Sequence, residues 1–261
     1  MIKIAPSMLS ADFLHLGEDV EMVNDNADIF HLDIMDGVLV PNLSYGFPVV
    51  EAIAGMARKP MDVHLMIVEP YRYIERFAKT GAAMISFHLE AARKAGKDAG
   101  EILDMIRSLG VRAGLSINPD IEVEEVFPYL EKADFVLIMS VFAGFGGQKF
   151  IGTTYDRVKA LKAEIDRRGL DCEIEVDGGV SPSNAAALAA AGAGILVAGS
   201  SVFKAHDPAG AIRLMRGYIM YPISLKEKDL ILLSGISASS SPMSEMPFIV
   251  PVNSSPVTLS R

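Results

Sequence analysis

With 261 residues, half of them hydrophobic, the chain is long enough for one large α/β barrel or for two average domains. A formal net charge of −9 with no basic patch argues against nucleic acid or an anionic membrane surface as partner, and the lone Cys172 excludes a disulfide framework and fits a reducing cytoplasm. The opening MIKIAPSML has no basic segment followed by a long apolar run, so no signal peptide is expected. The longest apolar stretch, 185–199, is broken by Gly192 and Gly194 and reads as a helix followed by a strand, not a membrane span.

Short apolar, β-branched runs predict strands over 2–9, 29–35, 61–67, 83–89, 112–118, 135–141, 171–177 and 195–200. Amphipathic segments lie between them. In 102–109, Ile102, Met105, Ile106 and Leu109 fall on one helical face; in 154–168, Val158, Leu161 and Ile165 point inward and Lys or Arg outward. Strands alternating with helices imply a parallel sheet. Eight such units in about 215 residues imply closure into a (β/α)8 TIM barrel. No glycine-rich dinucleotide fingerprint opens the first unit, which disfavours an open doubly wound sheet and any organic cofactor of that kind. The barrel domain is assigned to 1–217. Residues 218–261 hold ten Ser and five Pro and no sustained period, so they are expected to be a low-complexity, poorly ordered C-terminal extension without chemistry.

Side chains at i and i+2 share one face of a strand, so His31, Asp33 and Met35 point together, as do His64 and Met66. Near the C-terminal ends of barrel strands these are interior positions facing the mouth. A buried Asp is costly unless paired or metal-bound, and a second one opposite it, Asp177, worsens the cost. One divalent cation among His31, Asp33, His64 and Asp177 neutralises both, and two nitrogens with two oxygens suit zinc, iron(II), manganese or cobalt. Asp33 and Asp177 come from well-separated strands, so they can flank a substrate carbon, one removing a proton and the other returning one to the opposite face. Met35, Met66 and Met139 read first as core filler, and beside a reactive site they would exclude water and present polarisable sulfur. Glycine-bearing turns follow the last three strands at Gly144-Phe145-Gly146-Gly147, at Gly178-Gly179 and at Gly199-Ser200. Turns of this kind let backbone N–H groups approach a phosphate, and the missing GxxxxGK[ST] argues against a nucleoside triphosphate.

Together APSMLSADF (5–13), HLDIMDG (31–37) with VPN (40–42), DVHLM (62–66), GFGGQ (144–148) and EVDGG (175–179) resemble the ribulose-phosphate 3-epimerase family, which includes allulose-6-phosphate 3-epimerases, over about residues 2–216. The resemblance implies a metal-dependent epimerase acting at carbon 3 of a small phosphorylated ketose. D-Ribulose 5-phosphate is the expected substrate, D-allulose 6-phosphate the alternative, and a non-catalytic phosphosugar-binding barrel a remote one. It implies Asp33 and Asp177 as the acid/base pair and His31, Asp33, His64 and Asp177 as metal ligands. Ser7 and His64 become substrate contacts, the glycine turns and Ser200 a phosphate cradle, and the assembly a homo-oligomer. The chain departs from the family pattern at Phe142-Ala143, where Pro usually precedes the Gly, at Val38-Leu39 in place of His-Phe, and at Gly46-Phe47-Pro48 in place of Gly-Pro-Pro. A Schiff-base aldolase is disfavoured because no predicted strand ends in Lys.

Overall fold

All eight expected strands form, each inside or at the edge of its predicted window: β1 (Lys3–Pro6), β2 (Phe30–Met35), β3 (Met61–Met66), β4 (Met84–His88), β5 (Arg112–Ile117), β6 (Phe135–Met139), β7 (Glu173–Asp177) and β8 (Ile195–Ala198). The computed structural model describes residues 2–220 and 249–251. The strands make one parallel sheet in the order β1-β8-β7-β6-β5-β4-β3-β2. A parallel bridge between Ser7 and His31 joins its two edges, so the sheet is a nearly closed TIM barrel.

Two-residue alternation along each strand sorts the side chains by environment. Phe30, Leu32 and Ile34 of β2, Val63 and Leu65 of β3, and Val136 and Ile138 of β6 face outward into the large apolar layer under the helices. The inward set is different in kind. It carries a small apolar plug toward the N-terminal end (Ala5, Met84, Phe135 and Ile195) and an apolar patch at the mouth that includes Met35, Met66 and Met139. Between them lie buried His31, Asp62, His64, Ser86, His88, Ser116 and Glu175, each with no exposed surface. The barrel is hydrophobic outside and polar through its middle.

The crossovers are α1 (Leu16–Asn26), α2 (Phe47–Ala54), α3 (Ile74–Lys79), α4 (Leu89–Lys94), α5 (Ala99–Ser108), α6 (Thr154–Arg168), α7 (Ala185–Ala191), α8 (Ser200–Phe203) and α9 (Pro208–Met215). The connection from β5 to β6 is a 3-10 segment, Val123–Tyr129, and not the α-helix that eight uniform units imply. Pro128 inside it has no N–H to give an α-helical bond. In α6 the expected inward residues Val158, Leu161 and Ile165 are buried. In α5 the expected face is rotated: Ile102, Leu103 and Ile106 are buried, whereas Met105 and Leu109 are 39% and 41% exposed. Ala99 opens the helix on the buried side after the Asp98 cap, which fixes the stripe as 99, 102, 103 and 106. The chain divides into two units, Met1–Arg216 and Gly217–Arg261. In the second, β9 (Tyr218–Met220) pairs antiparallel with β10 (Ile249–Pro251). The rest of the segment expected to be low-complexity lies outside the described residues.

The plug depends on one close approach. A Cβ on Gly114 of β5 would lie 2.2 Å from the ring of fully buried Phe135 on β6. Gly114→Ala is therefore expected to destabilise the barrel by about 1–3 kcal/mol through overpacking. Urea unfolding checks this, and a variant as stable as the parent would mean that the ring moves aside freely.

Candidate active site at the barrel mouth

Adjacent strands deliver the cluster in register, with Asp33 of β2 beside His64 of β3. Asp33 Oδ1 lies 3.3 Å from His31 Nε2 and 3.3 Å from His64 Nδ1. Its other oxygen, Oδ2, accepts a 2.5 Å hydrogen bond from the Ser7 hydroxyl at the end of β1. Asp177 reaches the same point from β7, which is separated from β2 by β8 and β1 around the ring. One donor atom from each of His31, Asp33, His64 and Asp177 lies within 4.8 Å of all the others. The four residues picked from separate sequence motifs thus converge.

The donor atoms are suited to a cation. His31 Nδ1 donates to Asp62 Oδ2 at 2.6 Å, which leaves Nε2 as the nitrogen a cation can take; Nε2 has no hydrogen-bond partner despite complete burial. This is the carboxylate–histidine arrangement that holds an imidazole for metal ligation. Asp62 was not anticipated, although its place two residues before His64 puts it on the same strand face. Ser140, at the end of the sixth apolar run, was also missed. Its backbone N–H donates to the Asp177 carbonyl at 2.7 Å, and its hydroxyl lies 2.7 Å from that carbonyl and 2.5 Å from that of Gly178, which anchors the end of β7. His88 on β4 and Glu175 on β7 complete the buried polar row.

The electrostatics of the metal-free protein separate the two aspartates. Burial opposes ionisation of Asp33, but the His31 charge and the His64 imidazole beside it outweigh it and hold the carboxyl well below its usual range. Burial, then the Asp33 charge, pushes Asp177 up to about 7. Burial, then the Asp62 charge, likewise pushes Glu175 up to about 8. His64 is lowered by burial to about 4, whereas His31 is raised because Asp33 and Asp62 overcome its burial. A site that draws positive charge onto a fully buried imidazole is one that favours a cation.

Above the cluster opens a cavity of about 540 Å³, counted with the open solvent at its mouth. Asp33, Asp177 and Ser7 lie in its walls with Met35, Met66 and Met139. So do all three glycine turns: Gly144, Phe145, Gly146, Gly147, Gly178, Gly179, Gly199 and Ser200. His31 and His64 are fully buried and do not line it, so the geometry gives His64 no direct access to a ligand in the cavity. Gly178 has φ +115, and a Cβ there would lie 2.5 Å from Val141, so only glycine fits this turn. The loop after β6 lacks the usual Pro but is fixed otherwise. Asn42 Nδ2 donates to the Gly144 carbonyl, the Ala143 N–H donates to Asn118 Oδ1, and Gln148 Nε2 donates to the carbonyls of Phe142 and Phe145.

Fold and cluster together define a TIM-barrel protein with a candidate divalent-metal centre at the C-terminal mouth of its strands. Residues 3–203 match the family model described as "Ribulose-phosphate 3 epimerase family". The chain is 47% identical over 216 residues to the ribulose-phosphate 3-epimerase of Synechocystis sp., spanning 82% of this chain and 93% of that one. It is 44% identical over 219 residues to the Bacillus subtilis enzyme of the same name, spanning 83% and 99%. The chain belongs to the ribulose-phosphate 3-epimerase family. Among solved structures, 3-hexulose-6-phosphate synthase from Salmonella typhimurium shares the fold, with a TM-score of 0.60 and 17% identity over 82% of this chain and 96% of that one. No helix among the described residues is long and apolar enough to cross a membrane.

The raised acids make stability depend on pH in a defined sense. Above pH 6.5 the folded protein holds a proton on Asp177 up to about pH 7 and on Glu175 up to about pH 8, and His31 is raised in the same sense; the unfolded chain has released these protons, so stability falls as pH rises. The opposite contribution, from lowered His64, is complete once the pH passes 6.5. Urea unfolding in the presence of a chelator is expected to give a free energy lower at pH 8.5 than at 6.5 by on the order of 2 kcal/mol. A flat or rising profile would contradict these shifts.

Proposed function

We propose that this chain interconverts D-ribulose 5-phosphate and D-xylulose 5-phosphate by moving the proton at carbon 3. The observation that carries the reading is the meeting of Asp33 and Asp177, brought from β2 and β7, beside two imidazoles under a glycine-rimmed cavity. The relatives, both ribulose-phosphate 3-epimerases, favour the five-carbon sugar over D-allulose 6-phosphate.

In this reading Asp33, ionised and steadied by Ser7, takes the proton from one face of carbon 3. Asp177, brought from β7 on the other side of the ring, delivers one to the other face. Between the two transfers the substrate is a cis-enediolate, and in the reverse direction the carboxyls exchange roles. A divalent metal held by His31, Asp33, His64 and Asp177 supplies charge stabilisation for the substrate's oxygens, and the donor set admits zinc, iron(II), manganese or cobalt. Met35, Met66 and Met139 keep water from the reacting carbon. Backbone N–H groups of the turns at Gly144–Gly147, Gly178–Gly179 and Gly199–Ser200 hold the phosphate at the other end of the cavity.

Residues 1–217 carry this activity, and 218–261 add no chemistry. The same reading places a homo-oligomer in a reducing cytoplasm. There the single Cys172 stays a thiol: it is buried, and burial pushes it up to about 12.

Asp33→Asn and Asp177→Asn are each expected to lower kcat by about 10²–10⁴-fold while leaving the far-ultraviolet circular dichroism unchanged. In deuterium oxide the wild-type product should carry label at carbon 3. Product free of label, formed from either substrate, would count against two separate bases. kcat/KM for D-ribulose 5-phosphate should exceed that for D-allulose 6-phosphate, and the reverse order would reassign the substrate.

A further inference from the structure

His64 is one link of a buried chain that leaves the site through β4. Its Nε2 faces Nε2 of His88 at 2.9 Å, and both rings are fully buried. The ring centroids are 5.0 Å apart and the planes only 18° from parallel, which with facing nitrogens this close describes an edge-to-edge approach and not a stack. His88 Nδ1 lies 3.5 Å from Glu90 Oε1 in the first turn of α4 and has no hydrogen-bond partner at its present distance. Glu90 Oε1 in turn accepts the Asn118 N–H at 3.0 Å, which fixes the carboxylate in place.

A neutral imidazole has one N–H, so this chain can be ordered in two ways. In the first, His88 Nε2–H donates to His64 Nε2 and His64 Nδ1–H donates to Asp33. That order leaves the His88 Nδ1 lone pair facing the Glu90 carboxylate, two acceptors opposed. In the second, His64 Nε2–H donates to His88 Nε2 and His88 Nδ1–H donates to Glu90. Each order opposes two acceptors at one end, the first at Glu90 and the second at Asp33; a cation on the His64 Nδ1 lone pair removes the opposition at Asp33, and Glu90, which only accepts, then favours the second order. The second order also leaves His64 Nδ1 as a bare lone pair pointing at Asp33, within the cluster that could hold a metal.

We propose that His88 and Glu90 are positioning residues that hold His64 in the tautomer able to ligate a divalent metal through Nδ1. They do for His64 what Asp62 does for His31, with one imidazole interposed. The inference rests on the metal-site reading above. Glu90 touches neither the cavity nor any candidate ligand, so an effect of changing it on metal binding has to pass through His88.

Glu90→Leu tests this at similar volume, because it removes the acceptor opposite His88 Nδ1 and leaves Asp33 to draw the chain into the first order. Zinc binding to the full chain is measured by competition with a chromophoric chelator, and 15N spectra of the histidine rings report which nitrogen carries each proton. The wild-type protein is expected to bind zinc with His88 protonated at Nδ1. The variant should bind about 10–100-fold more weakly and, metal-free, carry that proton at Nε2. Equal affinity, or weakened affinity with the His88 proton still at Nδ1, overturns the relay while the metal site stands. A wild-type protein that binds no zinc, iron(II), manganese or cobalt overturns the site and the relay with it. An unchanged urea midpoint in the variant confirms that folding is not the cause.

Discussion

Asp33 Oδ1 stands at equal distance, 3.3 Å, from an imidazole nitrogen on its own strand and another on the next. Everything else in the barrel interior follows from keeping that contact dry. Carboxylates removed from water are costly unless opposite charge or hydrogen bonds replace the lost hydration. Here three of them (Asp33, Asp62, Glu175) are buried with His31, His64 and His88, and a fourth, Asp177, stands half-buried at the cavity wall. The row is tolerable only because it is ordered: Ser7 on one oxygen of Asp33, Asp62 behind His31, His88 behind His64, and Glu175 held in its neutral form. Removing a partner leaves a neighbouring charge buried and unpaired.

This explains why the core is arranged as it is. A conventional barrel interior is stacked with branched apolar residues. This one keeps apolar side chains at its lower end, around Phe135 and Gly114, and Leu137 in its middle layer, but fills the rest of that layer with polar side chains. Cohesion then comes mainly from the outer layer, where the alternate residues of every strand meet the helices. The two roles stay separate because a strand changes face at each residue. His31 and Asp33 serve the site while Leu32 between them serves the fold.

Much of this was legible from the chain. Strand positions show as short apolar runs, and the four converging residues show because HxD, VHL and VDG each place a donor near the end of such a run. What stays hidden has a common physical cause. Asp62, His88 and Glu175 act through residues on neighbouring strands, and register between strands is not written in any one motif. The buried face of α5 is misread for a related reason. Met105 and Leu109 have the right spacing, but the Asp98 cap and the packing of Ala99 set the rotation of the helix, leaving those two in water. The 3-10 crossover before β6 carries Pro128 in its interior, a residue without the N–H that an α-helical bond needs.

Departures from the family pattern at Val38-Leu39 and Phe142-Ala143 fall on loops, whereas every candidate donor sits on a strand, and that division has mechanical meaning. Donors within 4.8 Å of one another tolerate little movement, and strand backbone in a closed sheet supplies the rigidity. The loop after β6 obtains its rigidity by other means, through Asn42, Asn118 and Gln148 bonding its backbone from three sides. Side-chain clamps of this kind replace a proline's restriction of φ with hydrogen bonds to carbonyls and N–H groups. The loop can thus present half-exposed Phe142 and Phe145 at the rim without loosening the glycine turn beneath them. Selection of the sugar can vary at the rim while the geometry of proton transfer, fixed several residues deeper in the strands, does not.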